Sequence, residues 1–125
     1  MPASQQSQVL VVVPATADAT HVLRSTARSL AREDFDVDQL DDLALAIGEV
    51  AAELLRLDGA ANLAMTVDGD GGHLNVTLSV DGPARPGWLE RWERSLSRRV
   101  VAALATEVTA HTGIEGDRVS FRSSS

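Results

Sequence analysis

The stretch Leu43–Leu57, LALAIGEVAAELLRL, sets apolar residues at helical spacing, with Glu49 near its middle and a second acid, Glu53, one turn later. Leu40, Leu43, Ala44, Ile47, Val50, Ala51 and Leu54 form one apolar stripe of period 3.6. Just upstream, Asp36 and Gln39 have the spacing of a capping box. Asp38, Asp41 and Asp42 crowd the first turns, where the positive end of the helix dipole favours negative charge. The spacing predicts a long amphipathic helix that ends before Asp58-Gly59, and the rest of the chain must pack against its stripe.

On the N-terminal side, residues 1–8 are polar and read as a disordered tail, and the domain is expected over residues 9–122. Val9–Val13 is an unbroken aliphatic run that suits a buried strand, closed by Pro14. Ala19, Val22, Leu23, Thr26, Ala27 and Leu30 then recur at helical spacing, predicting a first helix from Asp18 to about Glu33. On the C-terminal side the period changes to two. Leu63–Val67 and Leu74–Val80 alternate apolar and polar residues around a glycine-rich hairpin tip, Asp68–Gly72. Pro83, Pro86 and Gly87 mark an irregular connector. A helical region begins near Trp88, breaks around Ser95 and continues over Leu96–Leu104. Strands at Glu107–His111 and Arg118–Arg122 flank a turn, and the serines at 123–125 read as a frayed end. Helices gathered on one face of a mixed, mostly antiparallel sheet of about five strands make a two-layer α+β sandwich.

A chain of 125 residues is long enough to bury one core. Cysteine is absent, so neither disulfides nor thiolate metal sites are available. Lysine is absent too, and arginine carries all the positive charge. The formal net charge of −7 disfavours a role in nucleic-acid binding, which needs a positive stripe. No apolar run approaches the roughly 18 residues of a membrane span. The opening MPASQQSQ lacks the basic start and apolar run of a secretory signal, so a cytoplasmic protein is expected.

Three segments together resemble the anti-sigma-factor serine kinase branch of the GHKL (histidine-kinase-like) ATPase superfamily. VVVPATADATHVLRSTARSLA is similar to its first strand and helix, VDQLDDLALAIGEVAAELL to its N-box helix, and VVAALATEVTAHTGIEGDRVSF to its last helix and final hairpin. The match runs from Val9 to Arg122, and each segment is mainly patterned hydrophobicity. The resemblance implies the GHKL (Bergerat) fold, with Glu49 as the general base that polarises a water or a substrate hydroxyl. Four residues on, where the family carries a magnesium-binding asparagine, this chain has Glu53. A carboxylate is a legitimate Mg²⁺ ligand, yet it adds charge beside a triphosphate and lies at i, i+4 from Glu49. The family's adenine-reading Asp-x-Gly-x-Gly falls on Asp81-Gly82-Pro83-Ala84-Arg85, with proline and arginine in two glycine places. Proline removes a donor, and arginine lacks glycine's backbone freedom. The second glycine box falls on Ser95-Leu96-Ser97-Arg98, leaving Ser97 as a vestigial phosphate-box position. A threonine common in the family falls on Asp117 or Arg118.

These departures predict that no cofactor is required and that ATP binding and kinase activity are lost, leaving a protein-binding regulator. The resemblance implies a sigma factor or a STAS-type anti-anti-sigma protein as partner, and a homodimer. Trp88 and Trp92, at i, i+4, either fill the former nucleotide pocket or serve as exposed anchors for a partner. Arg91, Arg94, Arg98 and Arg99 make a local basic patch. The competing expectation is a working serine kinase with Glu49 as base, Glu53 as metal ligand, and ATP and Mg²⁺ as cofactors. A third is a small-ligand sensor using the cleft between the Glu49 helix and Trp88. His21, His73 and His111 share no metal-ligand spacing. Asp68–Gly72 lacks the later ligands of a calcium loop. Neither a nucleophile elbow nor a P-loop is present.

Overall fold

The computed structural model describes residues 7–70, 72–114 and 116–124. In order these form β1 (Ser7–Pro14), α1 (Ala19–Ala31), α2 (Val37–Leu55), β2 (Asn62–Asp70), β3 (His73–Val80), α3 (Trp88–Glu93), α4 (Leu96–Leu104), β4 (Thr106–Gly113) and β5 (Gly116–Ser124). The strands make one sheet in the order β1-β2-β3-β5-β4, and each neighbouring pair among the described residues is antiparallel. Met65 and Val67 on β2, Val76 and Leu78 on β3, and Val119 and Phe121 on β5 point to one face and are buried there with Ile47, Val50 and Leu54 of α2. The molecule is a two-layer α+β sandwich with its helices on that face.

The α2 helix follows its sequence pattern closely. Asp36 accepts from the Gln39 amide and the Gln39 side chain accepts from the Asp36 amide, each at 2.8 Å, completing the capping box. Its buried positions are the expected ones from Leu43 to Leu54 with Ala46 added, and Leu40 is half-buried. The break at Ser95 is real, and Ser95 caps α4 by accepting from the Arg98 amide at 3.0 Å.

Three expectations about single elements need correction. β1 is an edge strand, not a strand buried on both faces: Leu10 is 64% and Val12 56% exposed, on the face without helices. Period-two geometry sends Val11 and Val13 inward instead. The Ala15 amide donates to the Ala61 carbonyl at 2.9 Å, so ladder alternation turns the backbone of Pro14 toward the free edge, where its missing N–H costs no ladder bond. On α1, Val22 and Leu30 are exposed, and Ala19, Leu23, Ala27 and Ala31 are buried. That narrow i, i+4 stripe of mostly alanine lets α1 lie close against α2. The hairpin tip is tighter than Asp68–Gly72, since pairing continues to Asp70 opposite His73.

The ends also differ. Residues 1–6 and Ser125 lie outside the described residues, but Ser7 and Gln8 pair with Gly69 and Asp68, and Ser123 and Ser124 pair with Leu74 and His73. β4 carries a bulge between Thr106 and Thr109, where Glu107 adopts a left-handed φ of 52°. No helix among the described residues is long and apolar enough to cross a membrane.

Candidate functional site

The buried stripe of α2 faces the sheet, so helical rotation puts Glu49 and Glu53 together on its flank, one turn apart. The start of α4 meets them there. Ser95 fixes that start by donating to the Trp92 carbonyl at 2.7 Å while capping α4, which ties the end of α3 to the beginning of α4. Ser97 is thereby held over α2, with its Oγ 3.0 Å from Glu49 Oε1 and 3.1 Å from Glu53 Oε1. A hydroxyl has one proton to donate, so it serves one carboxylate at a time. Among the described residues, the other donor in contact with the pair is Arg56, at a long 3.5 Å from Glu53 Oε1.

These residues line an open cleft of about 510 Å³ between α2, α3 and the start of α4. Arg91, Trp88 and Leu96 complete its walls with Arg56, Leu57 and Ser95. The structure therefore brings together Glu49, Glu53 and Ser97.

Asp81 is not part of this cleft. Its carboxylate accepts from the Ala61 amide at 2.8 Å, the Asn62 amide at 3.0 Å and Asn62 Nδ2 at 3.1 Å, fastening the end of β3 to the start of β2. The backbone N–H groups of Asn62 and then Ala61 hold its carboxyl below the usual carboxylate range. Both carboxylate oxygens of Asp81 are thus engaged in holding β3 to β2.

The connector after Asp81 is pinned by a residue that sequence reading treated only as a misplaced glycine. Arg85 Nε donates to the Asp58 carbonyl at 3.0 Å, Nη2 to the Asp81 carbonyl at 2.9 Å and Nη1 to the Pro83 carbonyl at 3.2 Å. Its Nη1 also lies 3.3 Å from Oδ2 of Asp117, whose side chain is fully buried. Thr112 Oγ1 donates to the other carboxylate oxygen of Asp117. One signal for Asp117 was present: it stands two and four residues before Val119 and Phe121, the inward positions of β5.

Trp88 and Trp92 are 2% and 1% exposed, so they are core residues and not surface anchors. The apolar end that does reach solvent in this region is Leu96, 72% exposed. Trp88 nevertheless forms part of the cleft wall, and its buried indole N–H has no acceptor. No group of three or more histidine, cysteine or acidic side chains among the described residues is arranged to hold a metal ion. An adenine nucleotide does not fit this residue set well. Asp81, to which the resemblance assigned the base, has its oxygens engaged by Ala61 and Asn62, and Arg85 fastens the connector that follows it.

No family model matches this chain, and no curated protein matches it.

Proposed function

We propose that this chain is a regulatory protein-binding domain of anti-sigma type, built on a GHKL-like sandwich that has given up ATP binding and kinase activity. The observation that carries the reading is Arg85, whose guanidinium joins Asp117 to the carbonyls of Asp58, Asp81 and Pro83. This supports the loss of nucleotide binding, since wrapping a nucleotide would require these bonds to break. The partner class is a sigma factor or a STAS-type anti-anti-sigma protein, with self-association into a homodimer as a further mode. With both tryptophans internal, the partner surface falls to exposed apolar side chains, Leu10 and Val12 on the helix-free face of the sheet.

A second reading keeps the chain as a Mg²⁺-ATP-dependent serine kinase, favoured by Glu49 and Glu53 sharing an open cleft. Titration of Mg²⁺-ATP, followed by tryptophan fluorescence and melting temperature, separates the two. The binding-module reading expects no saturable change, together with capture of a sigma factor or STAS protein from the native host. Micromolar nucleotide affinity with phosphate transfer to a serine would sink it in favour of the kinase.

A further inference from the structure

The cleft between α2 and α3 is chemically two-sided. On α2, Glu49 and Glu53 offer four carboxylate oxygens. The described donors facing them are the single proton of Ser97 and the long contact from Arg56, whose side chain is 74% exposed. On α3, Trp88 and Arg91 stand at i, i+3 on one helical face and both line the cleft. The charged donor on that wall is the Arg91 guanidinium, which makes no ion pair with a described residue.

From this polarity we infer that the cleft binds a small zwitterion, an amine and a carboxylate on one short scaffold, as in a free amino acid. The ammonium sits against Glu49 and Glu53 and supplies the donors they lack. The carboxylate sits against Arg91, which suits a planar two-oxygen acceptor. Arg56 reduces the negative charge at the acidic wall, so a lone cation gains less there than a ligand carrying both charges. A volume of about 510 Å³ accommodates a molecule of amino-acid size. The inference stands apart from the protein-binding reading, because it concerns a ligand the isolated chain would hold without any partner.

The test is calorimetric titration of the full chain, without nucleotide, using glycine, γ-aminobutyrate and 6-aminohexanoate as zwitterions of increasing span. Butylamine and butyrate serve as single-charge controls, and magnesium chloride as the metal control. At least one zwitterion is expected to saturate and to bind about tenfold or more tighter than either single-charge control. Arg91→Gln and the double variant Glu49→Gln/Glu53→Gln should each weaken it by about tenfold or more, with circular dichroism confirming an intact fold. The inference is overturned if no zwitterion of the series saturates, if butylamine or butyrate binds equally well, or if magnesium chloride alone reproduces the response. Zwitterion binding unchanged in both variants would overturn it as well.

Discussion

Arg85 and Asp117, 32 residues apart in the chain, meet with Nη1 3.3 Å from Oδ2, and the Arg85 backbone amide donates to the same oxygen at 3.3 Å. The pair joins the connector before α3 to the first inward position of β5. Asp117 is fully buried and Arg85 keeps only part of its side chain in solvent, so the buried carboxylate depends on the guanidinium for compensation.

Removing one partner should therefore cost more than removing both. Arg85→Ala and Asp117→Asn are each expected to lower stability by about 3–5 kcal/mol in urea denaturation, the usual result of stranding a buried charge or its partners. Arg85→Met combined with Asp117→Leu should recover much of that loss. Single variants within about 1 kcal/mol of the parent would contradict the compensation argument.

Gly116 begins β5 with φ +104°, and a side chain there would run into the Val80 carbonyl, with the Gly82 carbonyl at 3.0 Å. Both obstacles are backbone, so neither can turn aside. Gly116→Ala is expected to cost on the order of 3 kcal/mol or more. Gly59, with φ +79° and open space around it, is the control. Alanine there should cost only about 1–2 kcal/mol, from backbone conformation alone. Equal losses at the two sites would show that the close approach to Val80 is not what matters.

The Asp81 carboxyl titrates below its ordinary value of 3.8 because the Asn62 and Ala61 amides bind its ionised form. A depressed folded pKa contributes stability that is fully present above the unfolded value and lost as pH falls through the folded one. The melting temperature of Asp81→Asn should thus lie below that of the parent at neutral pH. The gap should narrow as pH drops from 3.8 toward the lowered folded value. A gap constant across that window would mean the carboxylate's charge plays no part.

Ser97→Ala removes the hydroxyl shared by Glu49 and Glu53, leaving two carboxylates one helical turn apart. A loss of about 1–3 kcal/mol is expected. The loss should shrink in high salt, where like-charge repulsion is screened. Adding Glu53→Gln to Ser97→Ala should restore part of the stability, since its amide can donate to Glu49 and removes one of the charges. A salt-independent loss that Glu53→Gln does not relieve would place the role of Ser97 in packing alone.

The order of helices and strands was legible in the chain because each element carries its own local signal. The capping box of α2, the break at Ser95 and the alternation of β3 depend on neighbours within a few residues. The i, i+4 spacing of Glu49 and Glu53 is likewise a local fact, and it placed them on one helical turn before any packing was known. Other features were settled only by the folded chain, because they depend on partners far away in sequence. Nothing local to Val9–Val13 says that the strand lies at an edge, since a neighbour on one side or two is a property of the sheet. Asp81 looks like a ligand-reading residue until the start of β2 arrives to occupy its oxygens. Arg85 reads as an obstacle in a glycine position until Asp117 and three carbonyls surround it. Ser97 joins the two glutamates only because α4 is set down over α2 by Ser95. Helical and strand periodicity is written over a few residues, whereas long-range hydrogen bonds and charge pairing exist only once distant segments share the same space.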